Sequence, residues 1–118
     1  MFSFLLFTKL EGAVTSGMVH LGDQLGLYSA LAQSQTPMTT TQLAHATQLN
    51  ERWVREWAYN QASARLISVN NTPSEIPAIE DDQFFLSPEQ AAVLADTNSP
   101  AFGMGMFHRL PQTMAALN

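Results

Sequence analysis

"MTTTQLAHATQLNERWVREWAYNQASARLISV", Met38 to Val69, is the stretch that decides the fold. Thr39 stands three residues before Gln42, a Thr-x-x-Gln capping box in which each side chain satisfies the other residue's backbone N–H. A short helix is predicted from there, with Leu43 and Ala46 facing inward and Leu49 just past its end. Gln48 occupies the turn, where a left-handed conformation costs glutamine more than glycine. Asn50 is placed to cap the next helix, Glu51 to about Arg65. That helix puts Trp53, Val54, Trp57, Ala58, Gln61 and Ala64 on one side. Arg52, Arg55, Glu56, Tyr59 and Ser63 take the other. Tryptophans carry a large apolar area, so Trp53 and Trp57, one turn apart, are expected in the core.

Downstream, "LISV" (66–69) and "FFLS" (84–87) are short β-rich runs around the polar, proline-containing "NNTPSEIPAIEDD". They read as a hairpin with a long tip. Helix, turn, long helix and hairpin, in that order, make a winged helix-turn-helix. The predicted fold is therefore mainly α (α+β), with a small β-hairpin and flanking N- and C-terminal helices. The chain continues past the wing as "FFLSPEQAAVLADTNSPAF". Ser87 and Ser99 read as N-caps, each followed by proline at the first helical position, and Gln90 completes a box on Ser87. A helix of about two turns and the onset of another follow. Phe102, Met106 and Leu110 lie on one face of the second, which Pro111 should kink or end. Upstream, Val14, Met18, Leu21 and Leu25 recur on one face of a helix over Gly12 to Leu25. Gly12, Ala13, Ser16 and Gly17 beside that face suggest close helix contact or simply a weak helix. Gly26 stops this helix, and "LYSALAQ" forms a second short one. Residues 1–35 then form N-terminal helices, 36–98 a winged-helix core and 99–118 the start of a linker helix.

A length of 118 residues suits one domain with one core. The net charge of −5 opposes polyphosphate binding overall. The absence of cysteine excludes disulfides and thiolate metal sites and fits a cytoplasmic location. "MFSFLLF" has no basic residue before its apolar run and is too short for a secretory segment or a membrane span. It reads as a helix face that packs on the core or on a second subunit.

Winged helices often read DNA, and the candidates for that are Arg52, Arg55 and Tyr59. Glu51 and Glu56 stand four residues from the two arginines and partly neutralise them. The hairpin region carries Glu75, Glu80, Asp81 and Asp82 and no base, so nucleic acid is disfavoured. His20, His45 and His108 show no ligand spacing. "GMGM" (103–106) lacks the third glycine and the preceding strand of a dinucleotide loop and reads as packing. No catalytic, cofactor-binding or metal residue is assigned.

The order of "HLGDQLGLYSALAQ", the Met38–Val69 block and "FFLSPEQAAVLADTNSPAF" resembles the N-terminal winged-helix domain of bacterial class I S-adenosylmethionine-dependent methyltransferases over roughly residues 8 to 110. The resemblance implies a dimerisation and substrate-cap domain of a homodimer acting on a small-molecule acceptor. S-adenosylmethionine would bind a separate Rossmann-like domain, so this chain alone is expected to be inactive. Val14, Met18 and Leu21 are the expected subunit contacts, and Phe102, Met106 and His108 the expected pocket-facing residues. The alternative is a winged-helix transcriptional regulator.

Overall fold

A computed structural model describes residues 2–70, 82–105 and 110–116. The order is α1 (Phe2–Gln24), α2 (Leu27–Gln33), β1 (Met38–Thr39), α3 (Thr40–Thr47), α4 (Glu51–Ser63), β2 (Ser68–Asn70), β3 (Gln83–Phe85), α5 (Pro88–Leu94) and α6 (Leu110–Ala115). The helix-turn-helix is α3 and α4. Both sides of the Thr39 box form: the Thr39 N–H donates to Gln42 Oε1 at 2.9 Å, and the Gln42 N–H to Thr39 Oγ1 at 3.2 Å. Because α3 starts at Thr40, its inner side is Thr40, Leu43 and Ala44, all buried, while Ala46 is exposed. The inward residue beside Leu43 is thus Ala44 and not Ala46.

Gln48 turns the chain with φ 58° and ψ 38°, the left-handed conformation. Asn50 Oδ1 then accepts the Trp53 N–H at 3.1 Å. Gln48→Gly should raise stability by about 0.5–1 kcal/mol, since glycine removes the left-handed penalty but has a more flexible unfolded state. A urea midpoint that does not rise would contradict this.

Val54, Trp57, Ala58 and Gln61 of α4 are buried. Trp53 is half-buried, at the rim of the core. Ala64 is exposed, because α4 ends at Ser63 and Arg65 reverses the chain at φ 64°. The Leu66 N–H returns to the Gln61 carbonyl at 2.9 Å, closing the helix end. The buried Gln61 side chain is satisfied by the Tyr28 hydroxyl, which donates to its Oε1.

The sheet has three antiparallel strands in the order β1-β3-β2, one more than the predicted hairpin. Phe84 pairs with Met38 on one side and Val69 on the other and is fully buried. A two-residue strand carries no alternation, so β1 leaves no periodic signal. The hairpin tip, with Glu75, Glu80 and Asp81, lies outside the described residues.

Ser87 caps α5 as predicted, and Gln90 Oε1 accepts from the Ser87 N–H at 2.8 Å and from the Ser68 hydroxyl at 3.0 Å. That second bond ties α5 to β2. Ser99 starts a turn and not a helix. Its carbonyl accepts the Phe102 N–H at 3.1 Å, and the Gly103 N–H goes back to the Val93 carbonyl of α5 at 3.0 Å. The helical ladder therefore does not propagate from Ser99, and Phe102 lies in the turn, half-buried against the core. The turn also delivers Met104 into the core. Helical residues run from Leu110 past Pro111 to Ala115.

Candidate functional site

The first helix is longer than its Gly12–Leu25 pattern suggests. At 23 residues it spans about 35 Å. Its attachment to the core is confined to its C-terminal half, where Val19 and Gly22 are buried. The Trp57 indole N–H donates to the Met18 carbonyl at 2.9 Å, and the Trp57 ring lies directly over Gly22. Gly12 and Gly17, by contrast, have open space where a Cβ would stand. The close helix contact is real, but it is made by Gly22.

The expected subunit contacts divide accordingly. Val14 and Leu21 are exposed, whereas Met18 is half-buried against the core. The exposed apolar surface extends well beyond them, to Phe2, Phe4, Leu5, Leu6, Phe7 and Leu10. Phe2, Leu6, Leu10 and Val14 follow each other at every fourth position and form one ridge. Phe4 is eighteen residues, five full turns, before Gly22 and so lies on the same side of the helix. It is nevertheless 67% exposed. The N-terminal turns of α1 therefore overhang the body. A groove of about 440 Å³ lies in the corner this makes, between Phe7, Leu10, Glu11 and Val14 of α1 and Asn60 and Ser63 of α4 with Ala64 just past its end. The groove escapes sequence reasoning because its second wall comes from the end of a helix far along the chain. The ridge is readable as a four-residue repeat once the helix is extended back to Phe2.

Of the three candidates for DNA contact, Arg55 and Tyr59 are held by partners within the domain, whereas Arg52 makes only a long, exposed pair. Arg52 pairs with Glu56 at 3.9 Å, and Arg55 with Glu51 at 2.8 Å. Glu51 also accepts the Thr41 hydroxyl at 2.9 Å. That bond, with Arg55 beside it, holds its carboxyl below the usual range. The Tyr59 hydroxyl donates to Asp82, and its ring meets Phe84 edge-on at 5.3 Å. Burial, then the bond to Asp82, pushes the Tyr59 phenol up to about 12. Burial also pushes Tyr28 up, aided by the charge of Asp23.

The chain has two tyrosines, so its phenolate absorbance should show no transition near the ordinary value of about 10. Their folded-state values are raised, so the associated stability is complete below the unfolded value near 10. It is lost as pH rises from there through about 12. A full two-tyrosine step near pH 10 in the folded protein would contradict both placements.

Of the expected pocket residues, Phe102 packs on the core, and Met106 and His108 lie outside the described residues. No helix among the described residues is long and apolar enough to cross a membrane.

A family model described as the Rv2258c-like winged HTH domain matches residues 13–96. The chain belongs to that family. The match runs from α1 to the turn after α5, the region of the helix-turn-helix and wing. No curated protein matches the sequence. Among solved structures, the Rv2258c-like domain is similar to human N-acetylserotonin methyltransferase, solved in complex with SAM. The TM-score is 0.79 at 18% identity, over 97% of this chain and 31% of the human one. MepR, a transcription regulator of the Staphylococcus aureus multidrug efflux pump MepA, aligns with a TM-score of 0.44 at 18% identity, over 100% of this chain and 84% of that one. This chain thus spans about a third of the human enzyme's length.

Proposed function

We propose that this Rv2258c-like domain pairs two subunits of a SAM-dependent methyltransferase and caps the pocket for a small-molecule acceptor. The observation that carries the reading is the uncovered apolar face of α1, Phe2 to Val14, on a domain whose fold is that of part of a methyltransferase. A patch of this kind on a soluble domain marks an interaction surface. In this reading residues 1–35 pair the subunits, 36–98 form the winged core, and 99–118 lead towards a Rossmann-like domain. That domain would hold S-adenosylmethionine and carry the transfer. The cap contributes by excluding water and aligning the acceptor, because displacement at a methyl group needs donor and acceptor in line. Its place of action would be the cytoplasm. The pairing of Arg55 with Glu51 and of Tyr59 with Asp82 disfavours the regulator reading.

Sedimentation equilibrium of the 118-residue chain at micromolar concentration should give a dimer. Leu10 is 60% exposed, so Leu10→Glu should leave the fold intact. It should weaken the dimer by roughly thirtyfold or more, as expected for a charge placed on a central apolar contact. A monomeric wild-type chain would refute the reading. Duplex DNA should not bind at low salt, and a steep salt-dependent affinity would restore the regulator.

A further inference from the structure

We infer that the groove between α1 and the end of α4 binds a small amphipathic cation, an ammonium group carried on an apolar body. Phe7, Leu10 and Val14 supply its apolar lining, and Glu11, Asn60 and Ser63 bring polar groups to it. At about 440 Å³ it falls within the range of small-molecule pockets, roughly 300–1,000 Å³. Among the described lining residues Glu11 alone carries a charge. Its neighbours three and four places away are Phe7, Thr8, Val14 and Thr15, none of them basic. Glu51 and Glu56, by contrast, each stand four residues from an arginine and pair with it. Lys9, two places from Glu11, does not face it on the helix. No ion pair reaches Glu11 among the described residues. A carboxylate thus stands beside apolar surface with its charge uncompensated, in a chain of net charge −5. A cation is attracted to such a site and an anion repelled. An ammonium brings three N–H donors, and every polar residue of the lining offers an oxygen acceptor. Phe7 is one turn before Glu11, so an aromatic ring is within reach of a cation held there.

The site is separate from the pairing ridge. Glu11 is eleven residues, about three turns, before Gly22, and so lies on the side of α1 that turns towards the body. It is five residues past Leu6, about 140° round the helix from it. A second copy seated along Phe2, Leu6 and Leu10 leaves the carboxylate open. Ligand binding and subunit pairing are therefore independent, and neither needs the other.

Isothermal titration of the 118-residue chain with 4-phenylbutylamine should give one site per chain, with a Kd of roughly 0.1–1 mM. The uncharged match, 4-phenylbutan-1-ol, should bind about threefold or more weaker, and the anion 4-phenylbutyrate should not bind. Glu11→Gln should weaken the amine by about threefold or more and leave the alcohol unchanged. Glu56→Gln removes the same charge at an exposed position elsewhere and should leave both unchanged. Ser63→Phe, at an exposed position on the far wall, should fill the groove and abolish binding of amine and alcohol alike. Equal affinities for amine and carboxylate, or equal losses in Glu11→Gln and Glu56→Gln, would overturn the cation site. Unchanged amine binding in Ser63→Phe would place the ligand elsewhere and overturn it as well. Sedimentation of the same samples separates the two readings. A dimer that binds no amine overturns the site and leaves pairing standing, and a monomer that binds it does the reverse.

Discussion

Trp57→Ala is expected to lower stability by about 3–5 kcal/mol, the range for truncating a buried tryptophan. Trp57 is fully buried and joins three parts of the domain. Its ring meets Tyr28 of α2 edge-on at 5.3 Å and 62°, an arrangement favoured by the ring quadrupoles. Its ring packs directly on Gly22 of α1. Its indole N–H ends on the Met18 carbonyl at 2.9 Å. Truncation opens a cavity where α1, α2 and α4 converge. The half-buried Trp53 has no comparable position, so Trp53→Ala should cost clearly less. Urea unfolding followed by far-ultraviolet circular dichroism measures both. A Trp57→Ala loss below about 1 kcal/mol, or equal losses for the two tryptophans, would contradict the described core.

What the sequence makes legible here is local chemistry. Thr39 with Gln42, and Ser87 with Gln90, form the predicted boxes because a capping box needs nothing beyond its own four residues. Gln48 is left-handed as the C-cap of α3, where its own N–H and that of Leu49 turn back to the last carbonyls of the helix. Ser99 has the same Ser-Pro signature as Ser87 but fails to start a helix. The difference is tertiary: the Val93 carbonyl of α5 takes the Gly103 N–H and draws the chain across α5. β1 is invisible for a related reason, since its two residues become a strand only by pairing with β3.

The candidate surface shows a second kind of limit. An apolar stripe on a helix says that something covers it, not what. Val14 and Leu21 of α1, with Leu25 just past its end, are exposed, while the core is met by Val19 and Gly22. A glycine has no side chain to register in a hydrophobic pattern, so the residue that fixes α1 to α4 leaves no periodic trace. The outward stripe is the stronger signal because the core contact here uses a small residue against a very large one. The same asymmetry leaves the large apolar side chains of α1 free for another surface.

Gly22→Ala tests that contact most directly and should lower stability by about 2 kcal/mol, within the usual range for overpacking a filled core. A Cβ at this position would stand 2.6 Å from Trp57 Cζ2 and 2.9 Å from both Cε2 and Nε1. The ring cannot swing aside without giving up the Met18 bond and its packing on Tyr28. Alanine otherwise favours a helix over glycine by about 0.8–1 kcal/mol, so the steric cost must exceed that gain before any loss is seen. Gly12 and Gly17 supply the contrast: a methyl group at either would meet nothing within 4 Å, so Gly12→Ala and Gly17→Ala should each raise stability by the helix preference alone. The sign therefore reverses between glycines of one helix. If Trp57 is the cause, the loss must vanish when the ring is removed. In a Trp57→Ala background, Gly22→Ala should be neutral or stabilising, which gives a coupling of about 2–3 kcal/mol between the two sites. Additive losses would place the obstruction elsewhere, and a stabilising Gly22→Ala in the wild-type chain would mean that α1 and α4 are not held this close.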